Sequence, residues 1–283
     1  MSSLVPKRFG PAWRPAVGLL QTSTSAPGGQ QAFLLARPIG MAATRSASMY
    51  RVLADRLVRT GASVMRFDYH GTGDSPGEEA DQSLSDWARD VEEAHACLVE
   101  STQPAHTDWF GMGLGANLML QTALRVPHRP RRLVLWEPVT NGSAHLRALL
   151  AAHRAEMALQ LDQTWSELRA QGLVEEPRFP GSVLGFDSGP QLVNDLQTLP
   201  SLTPWLKMAV EQGLNLTVCV SETSSETSPE ASATDWTRSL PAPVKDRVHW
   251  LPLPNPTNWL SSEAMGAAVV PPEVNQILEA LTR

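Results

Sequence analysis

Gly111, Gly113 and Gly115 alternate through the run Phe110-Gly111-Met112-Gly113-Leu114-Gly115-Ala116-Asn117-Leu118. The run joins a short strand-like segment, Thr107–Phe110, to an apolar helical one, Leu114–Val126. Glycine supplies backbone conformations that a Cβ forbids, which suits a sharp strand-to-helix turn at this point. A strand that turns straight into a helix is one half of a β-α unit. Repeated, such units build a parallel sheet flanked by helices.

The flanking sequence repeats the alternation. Gln31–Arg37 is an apolar strand ending at Pro38. Ser46–Thr60 places Met49, Val52, Leu53, Arg56 and Leu57 on one helical face before Gly61 stops it. Ala62–Phe67 reads as a strand, Ser83–Glu100 as an amphipathic helix and Arg132–Trp136 as a further strand. The pattern breaks after Gly142. His145–Gln171 and Gln191–Val210 are helical, around a Pro/Gly-rich stretch over 177–190. Leu214–Val220 and Arg247–Leu251 resume the sheet, and Pro271–Leu281 is a closing helix. The division expected is an irregular N-terminal arm over 1–30 with one strand at Ala16–Leu20, and a first core segment over 31–141. A helical cap over 142–212 and a second core segment over 213–283 follow. The Ser/Thr/Glu-rich stretch 221–234 is expected to be mobile on composition.

The chain has 283 residues and a formal net charge of −6. Its densest basic stretch, Arg125–Arg132, reads as a solvated helix-to-strand loop, so no nucleic-acid partner is expected. Cys97 and Cys219 sit in apolar stretches without CxxC spacing, as core thiols of a reducing compartment do. Met1–Leu20 has no apolar signal core, and no run reaches the roughly 18 apolar residues of a membrane span, so the expected location is the cytoplasm. No cluster of His, Cys or carboxylates has metal-ligand spacing. No metal or other cofactor is expected.

Three motifs carry a family resemblance. Arg66-Phe67-Asp68-Tyr69-His70-Gly71-Thr72-Gly73-Asp74-Ser75 is similar to the R-x-D-x-x-G-x-G-x-S loop of the serine aminopeptidase S33-like group. The glycine run resembles the G-x-S-x-G elbow of the α/β-hydrolase fold. Leu133-Val134-Leu135-Trp136-Glu137-Pro138-Val139-Thr140-Asn141-Gly142 resembles a narrower subgroup, the exosortase A system-associated hydrolase 2 proteins of bacterial exopolysaccharide loci. The stretch from Leu253 to Glu263 is similar to that subgroup's ending. The resemblance implies an α/β-hydrolase fold, with a mostly parallel central sheet, helices on both faces and a helical cap insertion.

The fold's chemistry needs Ser, then Asp or Glu, then His, in chain order. Gly113 occupies the nucleophile slot. The acid slot follows Leu214–Val220, where Glu222 is the candidate. The base slot follows the last strand, where no histidine occurs after His249 and Asn258 stands instead. An amide nitrogen has no lone pair for a proton near pH 7, so the chain reads as lacking serine-hydrolase catalysis.

The oxyanion hole uses backbone N–H groups, which survive any side-chain change. The resemblance places it around Gly40, Met41, Met112 and Leu114. A small acyl or glycolipid-like ligand, or a protein partner, then fits better than turnover. The alternative is an active hydrolase, acyl transferase or lyase with His70 and Glu137 as an unorthodox acid/base pair. Against it, Asp68 and Asp74 read as loop braces, and Glu137 as a turn cap. His145 and His153 read as ordinary cap-surface residues. Among nine tryptophans, Trp136 and Trp250 read as core, and Trp205 and Trp259 as candidates to line an apolar pocket.

Overall fold

Side chains leave a strand alternately to its two faces, and this strand pattern sorts them into two cores. Along β3 (Gln31–Ala36), Ala32, Leu34 and Ala36 join one cluster, and Phe33 and Leu35 join the other. The computed structural model describes residues 2–23, 31–173, 179–221, 233–254, 257–260 and 270–282.

The N-terminal segment is not an irregular arm. β1 (Ser2–Phe9) and β2 (Ala16–Ser23) form an antiparallel hairpin, and β2 pairs antiparallel with β4 (Ser63–Asp68). β1 is an edge strand with mostly exposed side chains, so it lacks the apolar alternation that marks a strand in sequence. The central sheet runs β1-β2-β4-β3-β5-β6-β9-β10, completed by β5 (His106–Met112), β6 (Arg132–Trp136), β9 (Asn215–Ser221) and β10 (His249–Leu253). From β4 to β10 every pairing is parallel.

On one face lie α2 (Leu84–Thr102) and α3 (Leu114–Ala123), and on the other α1 (Met41–Arg59) and α10 (Val274–Thr282). α1 buries Met49, Tyr50, Leu53, Ala54, Leu57 and Val58, the i, i+4, i+8 stripe of an amphipathic helix. Ser83 caps α2, its side chain accepting from the Asp86 N–H.

The insertion holds α4 (Gly142–Leu161), α5 (Trp165–Ala170), a two-stranded hairpin of β7 (Ser182–Val183) and β8 (Phe186–Asp187), and α6 (Pro190–Gln197). α7 (Leu202–Glu211) does not belong to the cap. It packs on α3 and β9, and buries Leu202, Leu206, Ala209 and Val210 in the core of that face. The cap therefore closes near residue 201, eleven residues before the expected boundary at 212. After β9 come α8 (Ala233–Ser239) and α9 (Ala242–Arg247). Most of the Ser/Thr/Glu-rich stretch, 222–232, lies outside the described residues.

Cys97 and Cys219 are both free. Among the described residues no helix is long and apolar enough to cross a membrane, and no group of His, Cys, Asp and Glu is arranged to hold a metal.

Candidate functional site

Two β-α turns meet at the C-terminal ends of β3 and β5. Gly113 sits at φ 56°, ψ −129° as the N-cap of α3, and Gly40 at φ 63°, ψ −139° as the N-cap of α1. Both are conformations that L side chains rarely adopt. The three glycines of the elbow have different reasons to be there. A Cβ on Gly115 would lie 2.3 Å from the Arg37 carbonyl oxygen, and one on Gly111 would lie 2.8 Å from the Gly115 carbonyl oxygen. A Cβ on Gly113 would meet only the Pro38 Cβ, at 3.4 Å. The outer two glycines allow helix and strand to touch; the middle one answers only to its backbone angle.

The neighbouring loop is held rigidly. Tyr50 donates to the Ala36 carbonyl at 2.7 Å, Tyr69 donates to the Arg37 carbonyl at 3.0 Å, and Arg37 pairs with Asp68. Asn117 fixes the loop after β6 from inside α3. Its amide donates to the Val139 carbonyl and accepts from the Val139 N–H, both at 2.8 Å. The Gly113 N–H donates to the Trp136 carbonyl at 2.9 Å, which ties the elbow to the end of β6.

Above the two helix N-termini lies a cavity. Gly40, Met41 and Leu114 form its floor, and the cap roofs it with Leu146, Leu149, Val183, Leu184, Phe186 and Leu192. First-turn N–H groups have no intrahelical acceptor, and the helix dipoles add positive potential there. One cavity thus offers an anion or carbonyl oxygen a seat on its floor and an apolar chain a lining above it.

Three ionisable groups line this cavity, Glu79, His145 and Asp187, and sequence reasoning placed none of them there. His145, in the first turn of α4, is half-buried, and burial pushes its imidazole down to about 4. Its ring makes no hydrogen bond among the described residues. Glu79 lies in a single helical turn, Glu79–Asp81, before α2. Burial raises its carboxyl to about 7; the Asp187 N–H, donating at 3.2 Å, opposes that rise, and the Asp187 charge adds to it. Helical periodicity places His145 on a helix, but only the folded cap shows that it faces inward. Glu79 has no periodic signal at all. His153 also differs from its expected surface role. Its Nδ1 accepts from the Leu184 N–H at 3.2 Å and so holds the cap hairpin.

Solved structures with this fold are numerous. The esterase PF2001 of Pyrococcus furiosus superposes with a TM-score of 0.62 over 99% of this chain and 90% of its own, at 11% identity. Est1E of Butyrivibrio proteoclasticus, solved with ferulic acid bound, gives 0.62 over 97% and 96%, at 13% identity. This is an α/β-hydrolase fold. The family described as serine aminopeptidase, S33, matches residues 42–179. Rv2307c, an uncharacterized protein of Mycobacterium tuberculosis, is 36% identical over 115 residues, 38% of this chain. The chain spans 40% of the length of that relative.

The elbow residue Gly113, between β5 and α3, carries no side-chain hydroxyl. The candidate acid, Glu222, lies outside the described residues. Asn258 is exposed, and its Oδ1 accepts from the Leu260 N–H at 3.0 Å, a local turn bond.

His70 and Glu137 do not come together as an acid/base pair. His70 follows β4 and Glu137 follows β6, with β3 and β5 between them. Three interstrand steps set the two chains roughly 14 Å apart. The His70 Nδ1 lies 2.6 Å from the Pro15 carbonyl, and its N–H donates to Asp90 at 2.9 Å. The half-buried Glu137 caps no turn. Its carboxylate accepts from the Ser221 hydroxyl and from the Trp136 indole at 3.3 Å, while burial raises its carboxyl above the usual range.

The Arg66–Ser75 loop is a brace. Asp68 accepts from the Asp74 N–H at 3.0 Å, and a Cβ on Gly73 would lie 2.4 Å from Asp68 Oδ2. Ser75 donates to the Asp68 carbonyl at 2.7 Å and accepts from the Val17 N–H at 2.8 Å. Met112 is buried on the far face of the sheet, among the residues packed with α1 and α10, rather than in the cavity wall. Neither Trp205 nor Trp259 lines the cavity. Trp259 packs edge-on against Trp136 at 6.5 Å, and Trp205 packs against the core on the α7 side.

Proposed function

We propose that this chain is a non-catalytic α/β-hydrolase-fold protein that binds an acyl ligand. The ligand's carbonyl or carboxylate oxygen would face the Met41 and Leu114 N–H groups, and its apolar chain would fill the space under the cap. One observation carries the reading. The elbow keeps its backbone and its cavity, while the position that would attack is Gly113, with no Cβ. Triad members act as a unit, so a serine restored at 113 without a base gains little. The resemblance of residues 133–142 and 253–263 supports a place among exosortase-associated, exopolysaccharide-linked proteins. A protein partner in such a pathway would be an accessory role of the same kind.

The test combines fluorophosphonate labelling, p-nitrophenyl ester turnover and displacement of a fluorescent fatty acid, on wild type and Gly113→Ser. The expected result is fatty-acid binding with neither labelling nor turnover in either protein. Turnover by wild type that resists the probe would overturn the non-catalytic reading.

A second reading, an active hydrolase or acyl transferase with an unorthodox site, draws on His145. A neutral imidazole without a protein partner among the described residues faces the same cavity as Leu114. In that reading His145, not His70, would be the general base. Turnover abolished by His145→Ala and retained by His70→Ala would establish it.

A further inference from the structure

A second cavity opens at the opposite, N-terminal end of the parallel strands. Arg132 begins β6, Asn215 begins β9 and His249 begins β10. Arg132 pairs in register with Asn215, and Thr217 with His249, which sets these side chains along one sheet edge. Arg247 and Gln276 complete the wall, with Glu279 as its one carboxylate. Two guanidiniums against one carboxylate leave an excess of positive charge, in a chain whose net charge is −6.

These donors are unused. Among the described residues, the side chains of Arg132, Arg247, His249, Asn215, Thr217 and Gln276 make no hydrogen bond. The Arg132 Nη1 is buried without a partner. Thr217 is only 6% exposed. Asn215, Arg247, His249 and Gln276 are exposed at the cavity mouth. A buried donor normally finds an acceptor, so the buried Arg132 Nη1, with the buried Thr217 lining the same cavity, marks the missing one. Asp108, the register partner of Arg132 on β5, does not supply it. Asp108 is fully buried and takes Arg131 at 3.2 and 2.7 Å, and the Gln31 amide at 2.5 Å. Burial also lowers the Arg132 guanidinium from its ordinary value; the Asp108 charge opposes that fall and the Arg131 charge adds to it.

We infer that this cavity binds a small phosphoryl anion, held by Arg132 and Arg247 with the Thr217 hydroxyl and the Asn215 and Gln276 amides as neutral donors. Guanidinium forks match the oxygen spacing of phosphate, and charge-assisted bonds are the strong ones.

Inorganic phosphate and glycerol phosphate would each be titrated calorimetrically into the whole chain, against sodium chloride at matched ionic strength. Wild type, Arg132→Gln, Arg247→Gln and the double variant would be compared, with circular dichroism confirming their folding. Saturable binding above the chloride control is expected, weakened about tenfold by either substitution and lost in the double variant. Tighter binding of glycerol phosphate would identify a phosphomonoester as the ligand, and equal affinities would identify free phosphate. Either outcome supports the site. The absence of saturable binding, or a folded double variant that binds like wild type, would overturn it.

Discussion

Gly113 and Gly115 are two residues apart and obey different constraints, which their substitutions should separate. Alanine at 115 drives a methyl group into the Arg37 carbonyl, where both partners are backbone. The expected cost is about 3 kcal/mol or more, or failure to fold, seen as a loss in denaturant midpoint. Serine at 113 meets only an ordinary contact with the Pro38 Cβ, at 3.4 Å, and the strain of its positive φ, of order 1–2 kcal/mol. The variant should fold, with a modestly lowered midpoint. Asn117 is a third case. Asn117→Ala strands the N–H and carbonyl of Val139 in the interior, and unsatisfied buried groups cost roughly 1–3 kcal/mol each. Asn117→Ala should therefore destabilise more than Gly113→Ser, although it leaves the elbow sequence intact.

At the scale of elements, the cap is joined to the core along a polar seam. The Asp187 N–H donates to Glu79, the Leu84 N–H donates to Asp195 at 2.9 Å, and Gly189 lies against the Ala80 carbonyl. The seam contains a group whose proton is held more tightly folded than unfolded. Stability from Glu79 is fully present below its ordinary value of 4.5, and is lost as pH rises through about 7. His145 acts in the other sense. Its contribution is complete above its ordinary value of 6.5 and is lost as pH falls through about 4. Glu79→Gln should therefore gain stability relative to wild type as pH rises from 4.5 to 7, measured by chemical denaturation across that range. A pH-independent difference would contradict the burial of Glu79. The same elements show what sequence can convey. β3 to β6 and their helices were legible because apolar alternation and helical stripes record burial directly. Of the N-terminal hairpin, β2 was legible as the strand at Ala16–Leu20, but β1 was not, because an edge strand buries too little to leave a pattern. The turn at Gly113 was readable through the resemblance of its glycine run to the G-x-S-x-G elbow. Glu79 and His145 were not, because their meaning comes from a cap that folds over them from distant sequence.

For the molecule as a whole, the hairpin completes one edge of the sheet. β2 covers β4, and its connection to β1 carries Arg14, which forms a buried ion pair with Asp90 and donates to Gln82 at 3.1 Å. Removing residues 1–23 would bare the β4 edge and leave Asp90 buried without its cation, a loss of several kcal/mol on the scale of roughly 3–5 for a broken buried pair. The shortened chain is expected to self-associate or to lose its cooperative unfolding, as read by size-exclusion chromatography and thermal melting. A monomer with unchanged melting would show the hairpin to be dispensable.

The tolerance of position 113 for a Cβ, with Pro38 alone in contact, has a practical consequence. A cysteine placed there would put a reactive sulfur one residue from the cavity floor, in a chain whose own thiols at 97 and 219 lie elsewhere. That position is a ready anchor for disulfide-tethered fragments or a spectroscopic label. Through it, the contents of the pocket can be surveyed without knowing in advance what it holds.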